Sequence, residues 1–461
     1  MEDQSQHINK NLLLTLIVLT SFINPFMGAA VNIALPQIGK EFSMNAVTMS
    51  WVAMSFLLAS AVALVPIGKL ADMYGRKRIF LWGNVVVAIS SLFCALSTST
   101  EMLLIFRAIQ GIGGAMMFGT SIAILTSAYP AHERGKAIGI NVTSVYLGLS
   151  AAPVLGGWLT QSFGWQSLFV LPIPISLLVL FAMPYAVKQE WADARHHRFD
   201  LKGSAIYVLA MSAFMYGFSK IPDPFAIACT AAGIVGLIFF VRVELRAEYP
   251  VLDMKLFAQN RLFAMSNLAA LINYATTFAV TFIISLYLQF VKGLSPGGAG
   301  TILVAQPIVM AVVAVFSGRM SDKYESRVLS SLGMAIIAVG LCLLVPISID
   351  TSYTYIVVAL LILGVGFGLF SSPNTNAIMG AVEKRYLGVA SATVGTMRVT
   401  GQMMSMGIAT LIIHLFIGDA KINPANHLQF MHAARLTIGV FVALSVLGIW
   451  ASLARGKSVT N

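Results

Sequence analysis

Charge is scarce in this sequence. Only 10% of its 461 residues are Asp, Glu, Lys or Arg, against roughly 25% in soluble domains. Hydrophobic residues make up 58%, and a soluble chain could not cover so apolar an interior with so few charges. The same figures exclude a disordered chain, collagen-like repeats and a nucleic-acid enzyme. Cysteine is nearly absent too: Cys94, Cys229 and Cys342 are the only three. An odd number without a framework argues against structural disulfides; each lies in an apolar run and is expected to be buried as a small hydrophobe. No Walker loop is present, so the chain is not itself an ATP-driven pump. Cys and His lack metal-ligand spacing, so neither a metal nor another cofactor is expected, and no enzyme constellation is found.

What is abundant is long apolar runs. A helix needs about 20 apolar residues to cross a bilayer. Candidate spans lie near 12–35, 47–67, 79–98, 102–126, 137–160, 166–186, 203–220, 225–243, 261–290, 298–318, 328–348, 354–378, 388–417 and 433–454. The run from Leu12 to Pro36 is too long for a signal-peptide core and reads as the first span. The reading is an all-α integral membrane protein of about fourteen helices, with the lipid bilayer as partner and no nucleic acid.

The net charge of +11 is explained by loops rather than by an acidic partner. Of the 29 Lys and Arg, 22 fall on the side of the amino terminus, five on the other side, and two, Arg107 and Arg398, inside spans. Basic residues gather on the cytoplasmic side, and an even number of spans puts both termini there.

One repeat is visible. Gly68-Lys-Leu-Ala-Asp72-Met-Tyr74 returns as Gly318-Arg-Met-Ser-Asp322-Lys-Tyr324, eight helices later. Parallel repeats of this kind occur in transporters whose halves rock about a central site. The expected organisation is a six-helix bundle over 1–190, a linker with two extra helices over 191–258, and a second six-helix bundle over 259–461.

At these residues the chain resembles the major facilitator superfamily, and more closely its fourteen-helix drug:proton antiporter branch, along the whole length. The stretch Gly68–Arg78, with Asp72, Gly75 and Arg76, matches the superfamily's loop motif between helices two and three. Its glycines suit a tight turn, and Asp72 can pair with Arg76 or Lys77. Arg107-Ala-Ile-Gln110-Gly111 resembles the fourth-helix motif, in which a buried Arg is implicated in proton transfer. An Arg in a span costs about 2.5–3.5 kcal/mol and should face a cavity or a partner; the other reading is an Arg snorkelling to an interface roughly 8 Å away. Gly148, Ala152-Pro153, Gly156 and Gly157 resemble the antiporter motif of exporters, with Ala152 in place of a Gly. Ser144, Gly148, Ala152 and Gly156 form one small face for close packing, and Pro153 permits a bend.

The first span departs from the branch. Val31-Asn32-Ile33-Ala34-Leu35-Pro36 matches, but Met27 stands where related antiporters carry an Asp. None of the eighteen acidic residues lies near a span centre. Arg does not titrate, and His414, the one His within a span, lies towards an end. The resemblance implies proton antiport, and the residues leave the carrier unnamed. Arg398 and Gln402 on the thirteenth span, with Asn374 on the twelfth, resemble the branch's pattern there. Two span cations without a span carboxylate favour an anionic or zwitterionic substrate; Arg398 as a structural pin is the alternative. Clustered methionines such as Met403 and Met404 suit a promiscuous pocket or lipid contact.

The candidate substrate and coupling residues are therefore Asn32, Arg107, Gln110, Asn374, Arg398 and Gln402. The leading function is a secondary exporter of small amphipathic molecules, multidrug-efflux-like, working by proton antiport and alternating access in the plasma membrane, as a monomer. The alternatives are a facilitator or exporter of an anionic metabolite without carboxylate-based coupling, and a membrane sensor that does not transport.

Overall fold

The computed structural model describes residues 9–192, 199–221, 223–248, 250–252, 254–321, 324–382, 387–418 and 420–455. Among them, fourteen helices are long and apolar enough to cross a membrane, and no residue is in a strand. The physical reason is that hydrocarbon offers no water to the backbone, so each N–H and C=O must be satisfied within the segment. Polar side chains mark where several helices begin. Asn9, Asn45, Ser99, Asp200, Asn260, Ser295 and Ser352 each accept from the backbone N–H three residues on, supplying acceptors that the first turn lacks.

The first bundle comprises α1 (Lys10–Glu41), α2 (Ala46–Tyr74), α3 (Arg76–Ala95), α4 (Thr100–Ala128), α5 (Ala131–Phe163) and a sixth span. That span is divided at Leu171 into α6 (Ser167–Val170) and α7 (Pro172–Ala186). Two extra helices follow, α8 (Leu201–Lys220) and α9 (Pro224–Glu244), then a short α10 (Met254–Gln259). The second bundle begins with α11 (Arg261–Leu286), whose end widens into a π turn over Tyr287–Val291. Its next span is α12 (Pro296–Leu303) with α13 (Ala305–Met320), followed by α14 (Ser326–Leu344), α15 (Tyr353–Gly380), α16 (Leu387–Ile417) and α17 (His427–Leu453).

The extra pair packs as a hairpin and leans on the bundles through α8, which touches α2 and α16. Tyr207 Oη donates to the Ala61 carbonyl at 3.0 Å. The outer helix α9 leaves Ile227, Val235, Ile238 and Phe239 exposed, which suits lipid rather than water.

Two expectations need correction. Of the cysteines only Cys94 is buried; Cys229 is partly exposed and Cys342 exposed. An apolar run does not reveal which flank of its helix faces outward, and Cys342 lies on such a flank of α14. The motif at Gly68–Arg78 is not a loop either. Helix α2 runs through Gly68 and Asp72 to Tyr74, and α3 starts at Arg76. The whole turn is Gly75, at φ 117°, a region closed to other residues except under strain. A Cβ on Gly68 would meet nothing within 4 Å, so packing does not require glycine there. Asp322 and Lys323, from the second copy, lie outside the described residues.

The turn at Gly75 is tied down by side chains. Glu190 accepts from the backbone N–H of Lys77 at 2.9 Å and of Arg78 at 3.1 Å, a carboxylate on a helix N-terminus. Arg76 pairs with Asp72 at 2.8 Å and donates to Ser127 Oγ at 2.7 Å, joining the ends of α2, α3 and α4.

Candidate functional site

Two cavities lie between the bundles and are lined from both. One, of about 60 Å³, is bordered by Asn24, Phe56, Leu64 and Phe118 of the first bundle and by Phe278, Arg398 and Gln402 of the second. The other, of about 90 Å³, is bordered by Asn32 and Pro153 on one side and by Tyr274, Thr277, Gln306 and Phe367 on the other. Leu149, Phe278 and Gln402 border both and form the partition between them. Among the described residues, no carboxylate lines either cavity.

The two span arginines differ sharply. Arg107 is fully buried. Its Nε donates to the Val52 carbonyl at 2.9 Å and its Nη1 to Gln110 Oε1 at 2.5 Å. The guanidinium lies 4.5 Å from the Phe56 ring centroid and 5.7 Å from that of Phe169. Carbonyl, amide and π faces thus solvate a cation that water does not reach. Arg107 does not snorkel, and neither it nor Gln110 lines either of these two cavities. Gln110 Nε2 donates to Ser91 Oγ at 2.6 Å and lies 3.4 Å from Met27 Sδ. Met27 therefore sits against the Arg107–Gln110 pair, where an acid in the first span would find a cation.

Arg398 is only half-buried and borders the smaller cavity. Its guanidinium lies 5.6 Å from the ring of Phe118, across the bundle interface on α4, and 5.8 Å from that of Tyr274 on α11. Only one of the two span cations therefore presents its guanidinium to these cavities. Asn32 and Gln402 are lining residues. Asn374 is buried outside both cavities, its Nδ2 donating to the Ser266 carbonyl at 3.1 Å. Asn24, Tyr274 and Gln306 border the cavities but do not stand out in the sequence. The signal that could have found Asn24 and Gln306 is an amide directly before a proline inside an apolar run.

One end of the interface, remote from the chain termini, is held shut. Ser285 Oγ donates to the Asn32 carbonyl and Gln289 Nε2 to that of Ile33, both at 3.0 Å. Thr410 Oγ1 donates to Ser50 Oγ at 2.8 Å, and the Gly297 N–H to Gln161 Oε1 at 3.2 Å. Helix α5 works on two sides here. A Cβ on Gly148 would overlap the Phe22 carbonyl, and one on Gly156 would stand 2.9 Å from Ala30 Cβ, so this face packs on α1. One residue further round, a Cβ on Gly157 would stand 2.7 Å from the Pro296 carbonyl oxygen, and one on Gly300 would overlap that of Pro153. That face closes on α12 of the other bundle.

The model of the Major Facilitator Superfamily matches residues 17–406 and again 266–457. The chain is 29% identical to the riboflavin transporter RibZ of Clostridioides difficile, over 84% of this chain and 85% of that one. It is 29% identical to the multidrug resistance protein Stp of Mycobacterium tuberculosis, over 92% and 79%. With the methylenomycin A resistance protein of Bacillus subtilis the identity is 28%, over 92% and 90%. Among solved structures, a bacterial homologue of the human lysosomal transporter Spinster superposes with a TM-score of 0.71 at 17% identity, over 97% of each chain. The D-xylose–proton symporter gives 0.69 at 14%, over 96% and 97%.

Proposed function

The chain belongs to the Major Facilitator Superfamily, and on that premise we propose that it exports small amphipathic molecules from the cell by alternating access. It is a multi-pass membrane transporter and not an enzyme. The observation that carries the reading is the pair of cavities lined by both bundles and closed at one end by contacts that cross between them. Such contacts can break together when two rigid bodies rock. The moving bodies are residues 1–190 and 259–461, with 191–258 as a linker carrying the extra pair. The basic residues on the termini side support cytoplasmic termini; the closed end then faces outward in the cell membrane and substrate enters from the cytoplasm. The lining mixes Phe56, Phe118 and Phe278 with the amides of Asn24, Asn32 and Gln402, a composition that fits amphipathic molecules. The names of relatives such as Stp support export. Both cavities are built within one chain, which fits a monomer.

Kinship with drug:proton antiporters supports proton coupling. A second reading is favoured by Met27: with a thioether against Gln110 and no carboxylate in the cavities, transport follows the substrate gradient alone. Purified protein in liposomes separates the two. Substrate efflux accelerated by an imposed proton gradient supports antiport, and efflux indifferent to it supports the second reading. Ligand binding without flux under any gradient would refute transport and favour a sensor.

A further inference from the structure

Arg398 is a cation within a membrane-spanning helix. Among the described residues, no carboxylate lies within ion-pair distance of it. The amides bordering its cavity, Asn24 and Gln402, and those of the adjoining one, Asn32 and Gln306, are neutral. Arg107 offers a contrast within the same chain: it uses Val52 and Gln110 for its hydrogen bonds and is closed off from the cavities. The site at the bundle interface therefore carries one uncompensated positive charge, in surroundings of low dielectric where a like charge is repelled and an opposite one held strongly. A lipophilic cation entering here would double the charge. An anion would cancel it.

The groups around Arg398 say more about the occupant. Phe118 and Tyr274 stand on different bundles and flank the guanidinium at 5.6 and 5.8 Å, and Phe278 separates the two cavities. A planar guanidinium presents paired N–H donors to a carboxylate or sulfonate, and the rings offer faces to a flat apolar body. Resting on the transporter reading above, we propose that the substrate is a small aromatic monoanion whose acidic group pairs with Arg398 while its ring lies against Phe118, Tyr274 or Phe278.

The test uses the full chain in liposomes and two permanently charged single-ring probes, benzenesulfonate and N-methylpyridinium. Binding is read by thermal shift and calorimetry, and movement by probe flux. Benzenesulfonate should bind saturably, at least tenfold more tightly than N-methylpyridinium, and should be transported. Arg398→Gln should weaken benzenesulfonate binding at least tenfold without weakening N-methylpyridinium, and Arg398→Lys should fall between. Unchanged benzenesulfonate affinity in Arg398→Gln overturns the proposal. If that variant does not fold, the wild-type preference decides alone, and preference for N-methylpyridinium overturns it equally. Saturable flux of the cation only would defeat the anion assignment and leave the transporter reading standing. Tight benzenesulfonate binding with no flux of either probe would do the reverse.

Discussion

Replacing Gly300 with alanine should open the end of the transporter that the structure holds shut. The added Cβ would overlap the Pro153 carbonyl oxygen and stand 3.0 Å from its carbon. Both are backbone atoms, so no side chain can swing aside, and relief requires α5 and α12 to move apart. Overpacking of this kind costs about 1–3 kcal/mol. The cost falls on the closed arrangement alone, because Gly300 and Pro153 belong to different bundles. At about 1.4 kcal/mol per tenfold, the equilibrium moves by roughly 5- to 150-fold towards the arrangement open at that end. Gly148→Ala is the control. Its clash, with the Phe22 carbonyl, lies inside the first bundle, which the proposed mechanism moves as one body, so it should lower stability without shifting the equilibrium. The assay places a cysteine at Ala29, which borders the larger cavity, in a background lacking the three native cysteines. Labelling by an impermeant maleimide added outside intact cells reports opening. Gly300→Ala should speed labelling and Gly148→Ala should not. Equal rates in Gly300→Ala and its parent, or acceleration by Gly148→Ala instead, would refute the two-faced reading of α5.

Four further outcomes are expected. A cysteine at Lys69 should be protected from impermeant reagent in intact cells and one at Lys292 should react; the opposite pattern would invert the orientation and hence the direction of transport. Asp72→Asn removes the pair with Arg76, a half-exposed interaction of about 0.2–1 kcal/mol, so insertion should persist while initial flux falls; wild-type flux would show that these helix ends do not act as a latch. Met27→Asp adds a titratable group beside Gln110 and Arg107, and substrate flux should become pH-dependent with accompanying proton flux. Strong coupled proton flux in the unaltered protein would show that the argument from missing carboxylates is wrong. Arg107→Lys keeps the charge but not the fork that reaches both Val52 and Gln110, so melting should fall by an amount equivalent to about 1–3 kcal/mol, with the preference between anionic and cationic probes unchanged; a changed preference would place Arg107 at the substrate.

Much of the architecture is a local property of the chain and was therefore legible in it. Fourteen apolar runs, separated by Asn, Ser, Asp and Gly at their edges, specify fourteen spans, because each span must satisfy its own backbone whatever it packs against. The repeat at Gly68 and Gly318 likewise needs no coordinates to point to two related halves. The face of small residues on α5 was visible as a spacing of four, since helical periodicity is fixed by the backbone. Its partners were not. Gly148 meets Phe22 and Gly156 meets Ala30, while Gly157 on the adjoining face meets Pro296, each across more than a hundred residues of chain, and composition says nothing about which groove a helix will fill. The two span arginines looked alike for the same reason. Each is a single cation in an apolar helix, and its role depends on what faces it: a carbonyl, an amide and two rings around Arg107, a cavity and rings from both bundles around Arg398. Hydropathy fixes the depth of a side chain. Only tertiary packing decides whether, at that depth, it meets protein, lipid or an open space.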